Sequence, residues 1–163
     1  MEFKEALELL KKSDVFKEWK DKNKECYLSF GFHMVEDKSW KIGYYDPSDD
    51  KVTSFDVSKE KVTIEPEEEV FKKEKTKVEN LDPEKVKIDF VAAVKIAKDL
   101  QEAKYEQDKP TKIFGIIQHL DIGQVWNITF VTQRFNTLNV KVDAAEGDVK
   151  EENLASLMDW KAK

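Results

Sequence analysis

Apolar residues recur at helical spacing over residues 3–20, where Phe3, Ala6, Leu9, Leu10, Phe16 and Trp19 share one face, and again over 89–105, where Phe90, Ala93, Val94, Ala97 and Leu100 do so. Ser13-Asp14 interrupts the first stripe at a point where one helical piece can stop and a second can be capped. Each stripe is followed by runs rich in β-branched and aromatic residues, at 26–35, 39–46 and 51–57 in the first half and at 112–120, 125–132 and 137–143 in the second. The predicted unit is a helix followed by a three-stranded antiparallel meander, and it occurs twice. The fold class is α+β, with a first unit over residues 1–65, a charged linker over 66–83 and a second unit over 84–163. A short strand is expected at 62–65, and a short amphipathic helix at 151–160, where Leu154, Leu157, Met158 and Trp160 need a surface to cover.

The two halves also share a spacing. His33-Met34 is followed after five residues by Trp40-x-Ile42-x-Tyr44, and His119-Leu120 after five residues by Trp126-x-Ile128-x-Phe130, so the copies stand 86 residues apart. A period of that size implies duplication of a small structural unit. At about 80 residues each half is near the size at which one hydrophobic core becomes marginal, so the halves are expected to support each other.

The first hairpin can be closed in two ways that differ in which face each side chain takes. A two-residue turn at Glu36-Asp37 sets His33 opposite Trp40, and it places Leu28, Phe30, Phe32 and Met34 on the face away from Trp40, Ile42 and Tyr44. A three-residue loop, Glu36-Asp37-Lys38, pairs Met34 with Trp40 and Phe32 with Ile42 and gathers the large apolar groups on one side. Burying half a dozen such side chains at about 1.5–3 kcal/mol each outweighs one cross-strand aromatic contact of about 0.2–1 kcal/mol, which selects the three-residue loop. The same choice in the second half sets Leu120 opposite Trp126, with Ile122-Gly123-Gln124 as the loop. The outer face then carries His33, Lys41, Tyr45, Ile117, His119, Asn127, Thr129 and Val131. Ile117 and Val131 are too apolar for a fully wet surface, and these eight residues form the candidate partner-binding face.

Composition narrows the function. Of 28 basic residues only Arg134 is arginine, and with a net charge of −6 the chain lacks the usual means of reading phosphates or bases, so no nucleic-acid partner is expected. No stretch approaches the roughly 18 apolar residues needed to span a membrane. The expected location is cytoplasmic, with secretion after removal of a signal peptide left open. A single cysteine, Cys26, rules out an internal disulfide and reads as a small buried hydrophobe.

The run Ala93-x-x-Ile96-Ala97-Lys98, the strand Trp126-Asn127-Ile128-Thr129-Phe130 and the closing Val140-Lys141-Val142-Asp143-Ala144-Ala145-Glu146-Gly147-Asp148-Val149 resemble the PepSY domain family over about 60 residues of the second half. In that closing motif Asp143 starts a tight turn that Gly147 can complete with positive φ. The resemblance implies a cystatin-like fold in which a helix packs across an antiparallel sheet, and a role in inhibiting or regulating peptidases without catalytic residues. The first half keeps Asp56 and Val62 of this pattern but has Glu60 where Gly147 sits, so its turn must differ.

No Gly-rich phosphate loop, nucleophile elbow or zinc-protease motif occurs, and Cys26 and His33 lie about 23 Å apart along a strand, too far to act as a pair. The histidines could ligate a metal only if duplication brought them together across a pseudo-twofold axis; a strand histidine in an interface, or a pH-sensitive contact, are the other readings. No cofactor or metal is assigned. The expected function is a non-enzymatic binding or regulatory module for a protein or peptide, a second copy of the chain included. The alternative is a carrier holding a small apolar ligand between helix and sheet.

Overall fold

A computed structural model describes residues 1–69 and 77–158. The apolar stripes form α1 (Phe3–Lys12), α2 (Asp14–Lys22) and α3 (Phe90–Lys104). Ser13 separates the first two as expected: its hydroxyl accepts the Phe16 N–H at 3.2 Å and caps α2. The strands are β1 (Tyr27–Met34), β2 (Trp40–Asp46), β3 (Lys51–Val57), β4 (Val62–Ile64), β5 (Glu68–Glu69), β6 (Pro110–Leu120), β7 (Gly123–Thr132), β8 (Asn136–Asp143) and β9 (Val149–Ser156). All belong to one antiparallel sheet in the order β4-β3-β2-β1-β6-β7-β8-β9, with β5 paired to β3 beside β4. The architecture is α+β, and the strand order is palindromic about the β1–β6 seam when β1–β4 is matched with β6–β9.

All three helices lie on one face. Helix α1 packs over β2 and β3 and α3 over β7 and β8, and a single hydrophobic core drawn from both halves fills the space between helices and sheet. At its centre Phe3, the first residue of α1, meets Trp40 at 5.6 Å and Trp126 at 6.5 Å, while Phe90, the first residue of α3, meets both tryptophans at 5.7 Å. The same two phenylalanines cover the two glycines of the seam strands. A β-carbon on Gly31 would lie 2.5 Å from the Phe3 ring, and one on Gly115 would lie 2.9 Å from the Phe90 ring. Each indole N–H is satisfied by the carbonyl two residues ahead of one of these rings, Trp40 by Met1 at 3.0 Å and Trp126 by Ile88 at 2.8 Å. Glu2 ties the halves together, its carboxylate accepting the Phe90 and Val91 amides at 2.7 and 3.3 Å and so capping α3 from the other half.

Three expectations are corrected. The first hairpin adopts the register that apolar counting rejected: Gly31 pairs with Ile42 and Phe32 with Lys41, and the His33 ring stacks on Trp40 at 4.5 Å. A bulge between Leu28 and Phe30 then returns Leu28 to the helix side beside Tyr44. In the second hairpin Ile117, not Leu120, pairs with Trp126, and Leu120 pairs with Gly123, whose φ of 110° closes a turn at Asp121 and Ile122. The partner of Trp40 is therefore His33 and that of Trp126 is Ile117, so the 86-residue spacing that equates His33 with His119 does not carry into the strand pairing. Finally, of the segment expected as a carboxyl-terminal helix, the part up to Ser156 belongs to strand β9, laid along β8 with Leu154 opposite Leu138, and only Leu157 and Met158 of the described residues are helical. Linker residues 70–76 and Trp160 lie outside the described residues.

Candidate functional site

Among the described residues, strand alternation leaves the second face of the sheet without a helix. Along the seam it presents Phe30, Phe32 and Met34 from β1 and Phe114, Ile116, Gln118 and Leu120 from β6, all half-buried, with the Phe32 and Phe114 rings 5.6 Å apart. Phe30 lies over Gly43 of β2, where a β-carbon would fall 2.0 Å from its ring. Only glycine permits that close approach. The result is an apolar strip along the midline of the face.

Polar side chains border the strip on both sides. On the β7–β8 side Asn127 donates to Gln118 at 3.0 Å, Asn139 donates to Thr129 at 3.0 Å and to Asn127, and Lys141 donates to Asn139 at 3.2 Å while pairing with Glu151 at 3.1 Å. On the β2–β3 side Lys41 pairs with Glu65 at 3.0 Å. Two cavities open on this face. One, of about 210 Å³, is bounded by Phe32, Met34, Lys41 and Asp56. The larger, of about 760 Å³, has Phe30, Ile116 and Leu120 among its floor residues and a wall supplied by the described ends of the linker, Glu68, Glu69, Lys77, Val78 and Glu79. That wall is fastened to the sheet by the Tyr27 hydroxyl donating to the Val78 carbonyl at 2.5 Å and by the Leu81 amide donating to Leu28 at 2.9 Å.

The eight residues of the sequence-derived face are divided by these registers. Lys41, Asn127, Thr129 and Val131 do lie on the helix-free face, half-buried. Tyr45 shares that face but is covered, packed on Tyr27 at 5.5 Å and bonded to Asp50. His33 and Ile117 lie under the helices, His33 between Trp40 and Phe90 with Nδ1 2.8 Å from the Ser39 carbonyl, and Ile117 fully buried. His119 stands at the end of β6, its Nδ1 2.9 Å from the Asn80 carbonyl, on the wall of the larger cavity. The histidines are not brought together: Gly115, the partner of His33, is four residues, roughly 13 Å, along β6 from His119. Phe30, Phe32, Met34, Phe114 and Ile116, the apolar centre of the face, went unrecognised because their size assigned most of them to the core. Mid-strand Gly31, Gly43 and Gly115 were the available signal, since a glycine on a pleated face marks where a ring from elsewhere lies down.

Among the described residues no three His, Cys, Asp or Glu side chains converge as a metal site would require. The Cys26 thiol is buried, and burial foremost, with the Asp46 carboxylate adding to it, pushes it up to about 11, so it stays protonated at neutral pH. The space between helices and sheet is filled by Trp40, Ile42, Phe55, Trp126, Ile128 and Phe130, each fully buried.

No protein-family model matches the chain, and no curated protein matches it in sequence. Among solved structures, a protein of Clostridium difficile 630 described as a putative lipoprotein is similar in fold, with a TM-score of 0.57 over 86% of this chain and 90% of that one, at 18% sequence identity. The overall fold of this chain is thus similar to that of that protein.

Proposed function

We propose that the chain is a non-enzymatic recognition module built from two PepSY-like units of common origin, and that it binds a protein or peptide on the helix-free face of its sheet. The observation that carries this reading is the one-sided placement of the helices, which leaves the strip of Phe30, Phe32, Met34, Phe114 and Ile116 half-exposed between polar borders. An apolar centre with a hydrogen-bonding rim is the usual anatomy of a protein-binding patch. Common origin of the halves is supported by the palindromic strand order and by the matched use of Phe3 over Gly31 and Phe90 over Gly115, each beside an indole bonded to a carbonyl two residues earlier. Regulation of a peptidase is the specific role we attach to the PepSY resemblance. A carrier role between helix and sheet draws no support from a core filled by two tryptophans, and both described cavities open on the other face.

The test is selection of binders from a displayed random-peptide library against the full chain, followed by mapping of amide chemical shifts on addition of a selected peptide. Shifts at Phe30–Met34 of β1 and Phe114–Gln118 of β6, lost in Phe114→Lys with its melting temperature retained, support the face. Shifts confined to the edge strands β4 and β9 would move recognition to strand addition and overturn it.

A further inference from the structure

The polar border on the β7–β8 side is a row of hydrogen bonds that all run one way. Lys141 Nζ can only donate, and it donates to Asn139 Oδ1 at 3.2 Å, which turns the Asn139 amide nitrogen to Thr129 at 3.0 Å and to Asn127 Oδ1. With its oxygen taken, Asn127 donates through Nδ2 to Gln118 Oε1 at 3.0 Å. Glu151 pairs with the same ammonium group at 3.1 Å, but the direction of the row follows from lysine having no acceptor and not from any sum of charges. The row ends at Gln118 Nε2, which carries two hydrogens and bonds to no group among the described residues. Since no buried side-chain nitrogen or oxygen among the described residues lacks a partner, this amide reaches the surface, and Gln118 lines the larger cavity. Its surroundings are apolar: Ile116 and Leu120 stand before and after it on the same side of β6, and Phe30 is opposite on β1. Hydrogen bonds in a row polarise one another, so a donor at the end of a row headed by an ammonium group is stronger than a solitary amide.

We propose that Gln118 is the specificity-determining donor of the helix-free face, giving its Nε2 hydrogens to an acceptor oxygen, a carbonyl or a carboxylate, on a protein or peptide segment whose neighbouring apolar side chain rests on Phe30 and Ile116. This rests on the recognition reading above and adds the chemistry of the partner. The apolar strip supplies contact area, and one polar group placed within it fixes which segment fits and in which register. A lysine or arginine side chain at the same place would set donor against donor and be rejected.

The experiment uses the full chain, labelled with nitrogen-15, and a peptide selected on it from a displayed random library. The side-chain amide signals of Gln118 are assigned by their loss in Gln118→Glu. On addition of the peptide one of these two proton signals should move downfield together with the backbone amides of Phe30–Met34. Replacing the residues of the peptide one at a time by alanine then locates the acceptor: loss of the Gln118 shift on removal of one Asp, Glu, Asn or Gln places the oxygen on that side chain, and persistence through the whole series places it on the main chain. Gln118→Glu keeps an oxygen for Asn127 Nδ2 and exchanges the free donor for an acceptor, so the melting temperature should hold while affinity falls at least tenfold. Gln118→Met, which removes the donor without adding charge, should weaken binding as well. If the peptide shifts Phe30–Met34 but leaves the Gln118 side-chain signals unmoved, or if Gln118→Met binds as tightly as the parent, Gln118 is a bystander and only the recognition reading survives. If no selected peptide shifts β1 or β6, both are overturned.

Discussion

Replacing Gly31 with alanine tests the assignment of its face with a single methyl group. Gly31 lies in β1 with ordinary strand dihedrals, so on backbone grounds alone the substitution would stabilise by about 0.5–1 kcal/mol, by reducing the freedom of the unfolded chain. The structure reverses the sign. The new β-carbon would stand 2.5 and 2.7 Å from two carbons of the Phe3 ring and 3.1 Å from Ile117. Phe3 is 2% exposed and wedged against Trp40 and Trp126, so its ring has nowhere to withdraw. Overpacking of this kind costs about 1–3 kcal/mol, which for a chain of this length lowers the melting temperature by roughly 2–12 °C. The reading is sharpened by repeating the change in a Phe3→Ala background, itself destabilised by about 3–5 kcal/mol. With the ring gone, Gly31→Ala should become neutral or stabilising, so the two changes should couple by about 1–3 kcal/mol in a urea-denaturation cycle. A Gly31→Ala protein as stable as the parent, or effects that simply add, would show that Phe3 does not lie over β1 and that the helix-covered face has been misassigned.

Glu2→Ala should cost about 0.5–2 kcal/mol through loss of its bonds to the first amides of α3, Asp89 keeping its own cap on Ala92, whereas Glu2→Gln, which keeps an acceptor oxygen, should cost less; thermal unfolding distinguishes them. His33→Ala, which removes a ring packed between Trp40 and Phe90, should destabilise clearly more than His119→Ala, which loses one contact at the surface end of β6; similar losses in calorimetry would refute the observed register. Burial raises the Cys26 thiol from 9.0 to about 11 and the Tyr44 phenol from 10.0 to about 12, so the folded state holds both protons more tightly than the unfolded chain. Their contribution is complete below about pH 9 and declines as pH rises through 11 and 12; Tyr44→Phe should flatten the upper part of that decline in denaturation curves recorded against pH.

Much of the secondary structure was legible in the sequence, because strand and helix periods differ and Ser13 is a good cap. Strand β3 begins and ends where its alternation does, and the break between α1 and α2 falls at Ser13. What failed was parity. Summing large apolar residues on each face assumed that a face without bulk is a wet face. In β1 the covered face carries Gly31 and His33, and the bulk that fills it comes from α1 and α3 as Phe3 and Phe90. Phe30, Phe32 and Met34 accordingly point the other way, away from the core in which their size had placed them. The bulge at Ser29 compounded the error by putting Leu28 and Phe30 on opposite sides. In the carboxyl-terminal segment, Glu151, Glu152, Leu154 and Ala155 favour a helix locally, but the unpaired edge of β8 supplies backbone partners that outweigh propensity.

The β1–β6 seam also has a kinetic meaning. Every other strand pairing joins near neighbours in sequence, whereas the seam joins Gly31 to Ile117 and His33 to Gly115 across the whole linker and α3. Such a contact forms late, because the entropy of closing so long a loop must be met before the contact gains anything. During synthesis the first meander can pair β2 with β1 and β3 early, yet β1 keeps one bare edge until β6 has been made. For that interval a strand reading Tyr-Leu-Ser-Phe-Gly-Phe-His-Met stands open to any passing chain. The protein's most exposed moment in assembly is therefore at what becomes the centre of its finished sheet.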